Sequence, residues 1–394
     1  MHLPILLPII IAITAPLVSA IPPPAQSEKH PQVYRTTDKH PLPNPGNLKA
    51  HDPNILYHDS NYYLFKGGIH IPIYKSTNIT GPWTELGTVL ASDSIIQKDN
   101  RVRPWAPTTI YRNGLFYCYY TLSSQGSRNS AIGVATTPAL DGTPWTDHGR
   151  VINTGTGPGS DVYPYTVTNA IDASVIFDED SGQAYLNYGS FWQGLWQVPL
   201  AEDMVSVKDA GAPDAVQLAF VPRTKRKPIE GPWMSYRNGW YYLWFSFGKC
   251  CNFRRGFPAH GKEYSIQVGR SESVRGPFVD RKGKSLVDGG GTVVYGSNHG
   301  VVYAPGGLGV LDGGEGLDIL YYHFLNTSVG FKHGEAQLGW NYLGYEDGWP
   351  VPIGGQNTTT TSAASACGVP FWGCLVILFG KSGTSNFQVI RVLC

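Results

Sequence analysis

The chain has 394 residues, and its 30 basic and 29 acidic side chains give a formal net charge of +1 at pH 7. A chain this close to neutral gives no electrostatic case for nucleic acid or an anionic membrane as partner, so we expect a neutral ligand. The 47 glycines and the many aromatic residues (11 Trp, 23 Tyr and 15 Phe) favour a turn-rich, all-β protein.

The first 20 residues, MHLPILLPIIIAITAPLVSA, predict a secretory signal peptide that ends at Ala20. Their apolar stretch is short and interrupted by proline, and it ends in VSA, a typical small-residue cleavage site. The segment before it carries only His2 and no Lys or Arg, which departs from the usual pattern. Glycosylation sequons at Asn78, Asn326 and Asn357 agree with a secreted, extracellular glycoprotein.

Residues 21–48 contain the proline-rich stretches IPPPAQ and PLPNPGN without hydrophobic periodicity, so we predict an extended arm. Over residues 49–353, by contrast, one theme recurs five times: a polar turn, an aromatic-rich strand and then a further strand. The five turn-and-strand segments are LYHDSNYYLF (56–65), IYRNGLFYCYY (110–120), FDEDSGQAYLNYGS (177–190), SYRNGWYYLWFSFG (235–248) and LDGGEGLDILYYHF (311–324).

Five units of about four short strands each predict an all-β fold, a five-bladed β-propeller over residues 49–353. A two-sheet sandwich is the alternative fold, but it does not account for a fivefold theme. The first strand of each propeller blade lines the central channel, so the residues just before each hairpin are the candidates for a site. They are Asp52, Trp105, Asp172, Glu230 and His299.

Three of these candidates are carboxylic acids: Asp52, Asp172 and Glu230. Each alone could be a turn or capping residue, because Asp favours strand ends. Three carboxylates at corresponding places in otherwise apolar strands are costly to bury without a function. Two facing carboxyl groups are what glycoside hydrolysis requires. We predict Glu230, with its longer side chain, as the general acid, Asp52 as the base, and Asp172 as the group that raises the pKa of the acid.

Six motifs between residues 45 and 352 carry a family resemblance: HDPNI, RPWAPTTI, NAIDASVIFDEDSGQAYLNYGSFW, KPIEGPWM, YYLWFSFGKCC and GTVVYGSNHGVVYAPGG. In this order they resemble glycoside hydrolase family 43, and within it the fungal enzymes that act on arabinan. The resemblance implies a five-bladed propeller and endo-hydrolysis of 1,5-α-L-arabinofuranosidic linkages with inversion of configuration. It gives Asp52, Asp172 and Glu230 the same three roles, with arabinan of the plant cell wall as the partner.

The resemblance also implies residues that bind substrate and metal. Trp105 would stack on a furanose ring and the Gly126 loop would meet the substrate, although Trp105 could serve only the core and Gly126 only its turn. His299 would help to hold a metal ion, often calcium, with water as most of its ligands. The acid–base chemistry itself requires no cofactor. The implied substrate-binding residues are Asp52, Trp105, Gly126, Asp172, Ala173, Ser174, Val175, Gly189, Ser190, Phe191 and Trp192.

Other functions stay open on the residues alone. An exo-acting arabinofuranosidase or a β-xylosidase could use the same fold, because a loop that blocks one end of the groove decides between exo and endo action. A retaining fructosidase is disfavoured because the chain has no RDP motif and no Glu-Cys pair. A sugar-binding propeller without catalysis is disfavoured because all three carboxylates are present. We expect a monomer.

The cysteines do not form the framework of a small disulfide-rich domain. Cys118, Cys250 and Cys251 lie in the body of the chain, and the adjacent pair forms either a vicinal disulfide or two free thiols. Residues 354–394, which hold the other three cysteines, are expected to be disordered or an artefact of the gene model. Their apolar run is too short to span a bilayer, and it is followed by polar residues, unlike a glycolipid-anchor signal.

Overall fold

The computed structural model describes residues 39–314 and 316–354. In these ranges, twenty-one strands form five antiparallel sheets, and the predicted all-β, five-bladed propeller is confirmed. The helices of the described ranges are three 3₁₀ turns, Phe253–Arg255, Leu286–Asp288 and His333–Glu335, and none of them is long and apolar enough to cross a membrane. The predicted signal peptide, residues 21–38 of the predicted arm and residues 355–394 of the predicted tail lie outside the described residues, as does the sequon at Asn357.

Four blades are four-stranded sheets whose strands pair in chain order. Blade I contains β2 (Asn54–His58), β3 (Asn61–Phe65), β4 (Pro72–Ser76) and β5 (Thr84–Thr88). Blade II contains β6 (Trp105–Arg112), β7 (Leu115–Leu122), β8 (Ala131–Thr137) and β9 (Thr146–Asn153). Blade III contains β10 (Ser174–Phe177), β11 (Ala184–Tyr188), β12 (Leu195–Pro199) and β13 (Val216–Ala219). Blade IV contains β14 (Ile229–Arg237), β15 (Trp240–Phe247), β16 (Ser265–Ser271) and β17 (Thr292–Tyr295).

Blade V is closed by a strand from the other end of the chain. It contains β18 (Val302–Leu311), β19 (Asp318–Asn326), β20 (Gln337–Glu346) and β21 (Trp349–Ile353), and β1 (Asn44–Lys49) pairs antiparallel with β20. The boundary predicted at residue 49 is therefore too late, since residues 44–48 belong to the propeller. This strand shows no amphipathic pattern because its buried residue is Gly46, where a Cβ atom would lie 2.7 Å from Leu338 Cδ2.

The inner strand of every blade starts with a left-handed kink. In blades II, IV and V the ladder register also shifts at this point. The kink defines corresponding positions, and the sequence-based alignment of the candidates is partly wrong: Trp105 and Glu230 lie one residue before the kink, and His299 lies five residues before it. The kinked residues are Asp52 (φ 47°), Ala106 (φ 38°), Asp172 (φ 59°), Gly231 (φ 63°) and Ala304 (φ 51°).

The aromatic-rich strands supply the packing between neighbouring blades. Apolar clusters fill each interface between consecutive blades, including the interface of blade V with blade I. Large rings such as Tyr119, Trp244 and Trp340 are fully buried in these layers. The high aromatic content is thus mainly explained by the core, and the inner strands are held at fixed positions around the channel.

Candidate active site

The structure brings the three predicted carboxyl groups together from blades I, III and IV. The charges of Glu230 and Asp52 both act on the carboxyl of Asp172, and the charge of Asp52 acts on Glu230. Each acid lies at or next to the kink of its inner strand, where the side chain is only partly buried. The fold therefore gathers at one place residues that are up to 178 positions apart in sequence, the separation of Asp52 and Glu230.

Asp52 is surrounded by two imidazoles. His51 Nδ1 lies 3.1 Å from Asp52 Oδ2, and His323 Nδ1 lies 3.3 Å from Asp52 Oδ1. The amide of Asp52 also lies 3.2 Å from His323 Nδ1. Gly307 makes this approach possible, because a Cβ atom there would lie 2.2 Å from Asp52 Oδ1 and 2.6 Å from His323 Nδ1.

The environment of Asp52 favours its ionised form. Burial by itself raises the pKa of this carboxyl, but His51 and the hydrogen bonds from both imidazoles outweigh burial and hold the pKa well below its usual range. Asp52 is therefore a carboxylate over the range in which many hydrolases work. An ionised carboxylate of this kind can accept a proton from water.

Sequence reasoning missed His323 and Gly307. His323 lies on β19, with 1% of its side chain exposed, and its ring stacks on His51 at a centroid distance of 4.0 Å. The His51 ring also stacks on the ring of His333, at a centroid distance of 3.8 Å. The motif LYYHF offered a signal, since a buried histidine in an apolar strand needs a polar partner. Nothing in the sequence indicated that this partner is Asp52.

Glu230 is held by two hydroxyl groups, one on each oxygen. Ser190 Oγ donates to Glu230 Oε2 at 2.8 Å, and the Tyr264 hydroxyl donates to Oε1 at 2.7 Å. Ser190 and Glu230 also form an isolated antiparallel bridge that joins blade III to blade IV. Tyr264, which directly precedes β16, was not among the predicted residues. Its ring is 4% exposed.

The pKa values of Glu230 and Asp172 are both raised. Burial is the main cause for Glu230, and the charge of Asp52 adds to it, while the hydrogen bonds from Tyr264 and Ser190 act against it. Burial is also the main cause for Asp172, followed by repulsion from Glu230 and Asp52, and a hydrogen bond from the amide of Gly231 opposes them. Two carboxyls with raised pKa values thus face one whose pKa is lowered, an arrangement that assigns an acid and a base.

Trp105 and Gly126 lie on blade II. Trp105 is the first residue of β6, is half-buried and pairs with Thr121, whose hydroxyl accepts a hydrogen bond from the amide of Asp172 at 3.0 Å. Gly126 lies in an exposed turn with φ of 76°, and a Cβ atom there would meet nothing within 4 Å. The backbone conformation therefore explains this glycine, and substrate contact stays a prediction for both residues.

The predicted contacts on blade III fall into two groups. Ala173, Ser174 and Val175 have buried side chains, and the Ser174 hydroxyl lies 3.3 Å from Asn187 Nδ2, so these side chains support Asp172 from the core. In Gly189–Trp192, Gly189 is buried and must be a glycine, because a Cβ atom there would lie 2.3 Å from the Gly194 carbonyl oxygen. Phe191 and Trp192 are half-buried, with φ of 50° and 25°.

His299 lies away from the kink, in the turn before β18. Its Nε2 lies 2.9 Å from the carbonyl oxygen of His40. In the described ranges, two groups have three possible metal ligands close together, His51 with Asp52 and His323, and His51 with Cys251 and His333, and His299 belongs to neither. Calcium takes six to eight oxygen ligands, so imidazole groups with a single carboxylate do not fit it. The metal predicted at His299 finds no support in these donors.

The adjacent cysteines form a disulfide. The Cys250–Cys251 bond resolves the alternative that the sequence left open, and Cys118 is a buried free thiol whose pKa burial raises to about 12. Cys251 lies close to His51 and His333, and Cys250 packs with Tyr264 in an apolar cluster. The vicinal disulfide thus lies beside His51, which is a partner of Asp52, and beside the cluster that contains Tyr264, which is a partner of Glu230.

A propeller whose channel holds one carboxyl of lowered pKa and two of raised pKa has the groups of a glycoside hydrolase site. The comparison with family profiles agrees, since the profile described as glycosyl hydrolases family 43 matches residues 43–350. The chain belongs to this family.

Similar proteins narrow the comparison. A probable arabinan endo-1,5-alpha-L-arabinosidase D from Emericella nidulans is 56% identical over 356 residues, which is 89% of this chain and 92% of the relative. The structure of a Cellvibrio cellulosa alpha-L-arabinanase complexed with arabinohexaose matches with a TM-score of 0.67 and 28% identity over 78% of this chain and 96% of the other. An exo-1,5-alpha-L-arabinanase from a bovine ruminal metagenomic library matches with a TM-score of 0.67 and 28% identity over 77% and 97%.

Proposed function

We propose that this protein is an endo-acting hydrolase of the 1,5-α-L-arabinofuranosidic linkages in arabinan, and that it inverts the configuration at the anomeric carbon. The observation that carries the proposal is the contrast in pKa at the channel: that of Asp52 is lowered, whereas those of Glu230 and Asp172 are raised. One ionised and one protonated carboxyl are the two groups that a single-displacement glycosidase uses.

In this mechanism two proton transfers accompany a single displacement at the anomeric carbon. Asp52 removes a proton from a water molecule, and the water oxygen attacks the anomeric carbon as the glycosidic bond breaks. Glu230 gives its proton to the departing sugar oxygen, so the leaving group departs as a neutral alcohol. Asp172 and Glu230 repel each other when both are ionised, so the pair releases its protons in separate steps, and this repulsion helps Glu230 to retain a proton until substrate binds.

The substrate is proposed from the relatives. The Emericella nidulans relative is named as an arabinan endo-1,5-alpha-L-arabinosidase, and the Cellvibrio cellulosa protein was solved with arabinohexaose. Exo action is the second candidate, because a protein named as an exo-1,5-alpha-L-arabinanase matches this fold equally well. The 56% identity to the endo-named relative favours endo action.

The test is to incubate the wild-type protein and a Glu230→Gln variant with linear 1,5-α-L-arabinan and to follow product size and anomeric configuration. Endo action with inversion predicts a ladder of oligosaccharides released as the β-anomer. We expect the variant to lose about 10²-fold or more of kcat, because Gln cannot supply a proton. Arabinose alone as product would establish exo action, and products with retained configuration would contradict the mechanism.

Three further expectations belong to this proposal and need separate measurements. Secretion is proposed from the signal peptide, together with glycosylation at Asn78 and Asn326, and mass spectrometry of the secreted protein tests both. A monomer is also proposed, and light scattering tests it. Calcium near His299 stays a prediction of the sequence, and dialysis against a chelator followed by metal analysis tests it.

A further inference from the structure

The two oxygens of Glu230 lie in different surroundings. Oε2 faces the Ser190 hydroxyl, which belongs to a loop whose neighbouring residues, Phe191 and Trp192, are partly exposed. Oε1 faces the Tyr264 hydroxyl, which belongs to a buried apolar cluster with Phe253. A general acid transfers only one proton from one oxygen, so this asymmetry bears on which oxygen is used.

Tyr264 has little freedom to leave Glu230. Its ring stacks on His323 at a centroid distance of 6.0 Å and packs against Gly306, where a Cβ atom would lie 2.2 Å from Tyr264 Cδ1. Burial, together with the charges of Glu230, Asp52 and Asp172, raises the pKa of the phenol well above its usual value. The hydroxyl therefore keeps its proton and has it available for Oε1.

We propose that Tyr264 is a positioning residue that makes Glu230 Oε1 the hydrogen-bond acceptor, so that Oε2 carries the proton that is transferred to the leaving sugar. In the described part of the chain, Glu230 is the acceptor that the geometry gives to the Tyr264 hydroxyl. If Oε1 carried the proton, it would donate to Tyr264, and the phenolic proton would then lose this partner. Such a loss in a buried place costs about 1–3 kcal/mol.

In this arrangement the proton moves from Glu230 Oε2 to the departing sugar oxygen. The Oε2–H bond breaks, a new O–H bond forms on the departing sugar oxygen, and the electron pair of the broken bond remains on the carboxyl of Glu230. Tyr264 then donates to a carboxylate, and a hydrogen bond to a charged group is stronger than one to a neutral group. Ser190 has a freely rotating hydroxyl, so it can donate to Oε2 or accept from it.

The inference rests on the proposed role of Glu230 as the acid, and leaving-group chemistry tests it. The leaving group of arabinan is a sugar alcohol, which needs the proton. The leaving group of a 2,4-dinitrophenyl α-L-arabino-oligosaccharide is a stable phenolate, which does not. For Tyr264→Phe, we expect kcat/KM on arabinan to fall about 10- to 100-fold and kcat/KM on the dinitrophenyl substrate to change less than about threefold. Tyr303→Phe, in the same aromatic cluster, is the matched control and should change neither value.

The pH profile is a second readout. The groups that act on Glu230 are Tyr264, Ser190, Asp52 and His51, and the charge of Glu230 in turn acts on the neighbouring carboxyl of Asp172. The hydrogen bond from Tyr264 lowers the pKa of Glu230, so its removal should move the basic limb of kcat/KM to higher pH. A structural defect alone would lower activity without this displacement.

Each outcome decides the inference. The inference fails if Tyr264→Phe loses activity equally on both substrates, or if its basic limb does not move. It also fails if Ser190→Ala shows a larger arabinan-specific loss than Tyr264→Phe, because that result would assign the proton to Oε1. The Glu230→Gln variant separates this from the proposed function. If Glu230→Gln still cleaves arabinan, the acid assignment fails; if it is inactive and Tyr264→Phe is unchanged, only the role of Tyr264 fails. Melting temperature and activity on the dinitrophenyl substrate report that each variant is folded.

Discussion

His51 Nδ1 lies 3.1 Å from Asp52 Oδ2, so the residue next to the base in sequence is also its hydrogen-bond partner. Burial lowers the pKa of His51, which favours a neutral imidazole with one N–H to donate. The His51 ring is fixed by stacking on His323 and His333. The motif HDP therefore contains both the base and a group that keeps it ionised.

Replacing His51 should raise the pKa of Asp52. Because Asp52 must be ionised, activity is lost as pH falls through its pKa, and a higher pKa moves the acidic limb of kcat/KM to higher pH. We expect a larger displacement for His51→Phe than for His51→Asn, since the Asn amide can donate in place of Nδ1. Measuring kcat/KM against pH checks this, with the exposed His260→Asn as control. Identical profiles for all three variants would contradict the role of His51.

Replacing Asp172 should move the basic limb of the kcat/KM profile to lower pH. Glu230 must be protonated, so activity is lost as pH rises through its raised pKa. Glu230 and Asp172 repel each other, and Asp172→Asn removes that repulsion, so the pKa of Glu230 falls and the basic limb moves to lower pH. The same pH series measures it, together with a loss of kcat at the wild-type optimum. A basic limb at higher pH would show that Asp172 is not the modulator.

Gly307→Ala should disable the base by displacing the Asp52 carboxylate. A Cβ atom at this position would lie 2.2 Å from Asp52 Oδ1, so the carboxylate must move, and a displacement of about 1 Å can cost about 10²-fold in rate. The positive φ of 56° adds a backbone cost of about 1–3 kcal/mol.

Gly300→Ala is the matched control for that variant. Gly300 also has a positive φ, 65°, but a Cβ atom there would meet nothing within 4 Å. It should lose similar stability in thermal unfolding and keep its kcat. Equal kcat losses in both variants would mean that backbone strain, and not the displacement of Asp52, is responsible.

Removing β1 should open the ring of blades. A variant that begins at Ala50 lacks the strand that pairs with β20, whereas one that begins at Lys39 keeps it. We expect the melting temperature of the shorter variant to be lower by about 5 °C or more, because the edge of blade V loses its ladder. Calorimetry on the two variants measures the difference, and equal melting temperatures would show that β1 does not contribute to closure.

The sequence was most informative where it repeats. Turns of the type Asn113-Gly114 and Asn238-Gly239 have the positive φ values that tight hairpins require, at 50° and 80°, and 50° and 82°. Because this local chemistry recurs with aromatic strands, the blade count followed from the sequence. The β1 strand escaped prediction because its partner lies nearly 300 residues away and its buried residue is a glycine.

The amino-acid sequence by itself determined the five-bladed fold and the three carboxylic acids, since both depend on short-range patterns and on residue types. Only the tertiary structure decided which groups surround each acid. Asp52 gains a second imidazole because His323 reaches it from blade V past Gly307, and Glu230 is oriented because Tyr264 and Ser190 approach it from separate segments. His299 matched by motif but lies five residues before the kink, which no local pattern revealed. A pKa depends on charges and burial in three dimensions, and contacts between distant segments exist only once the ring is closed.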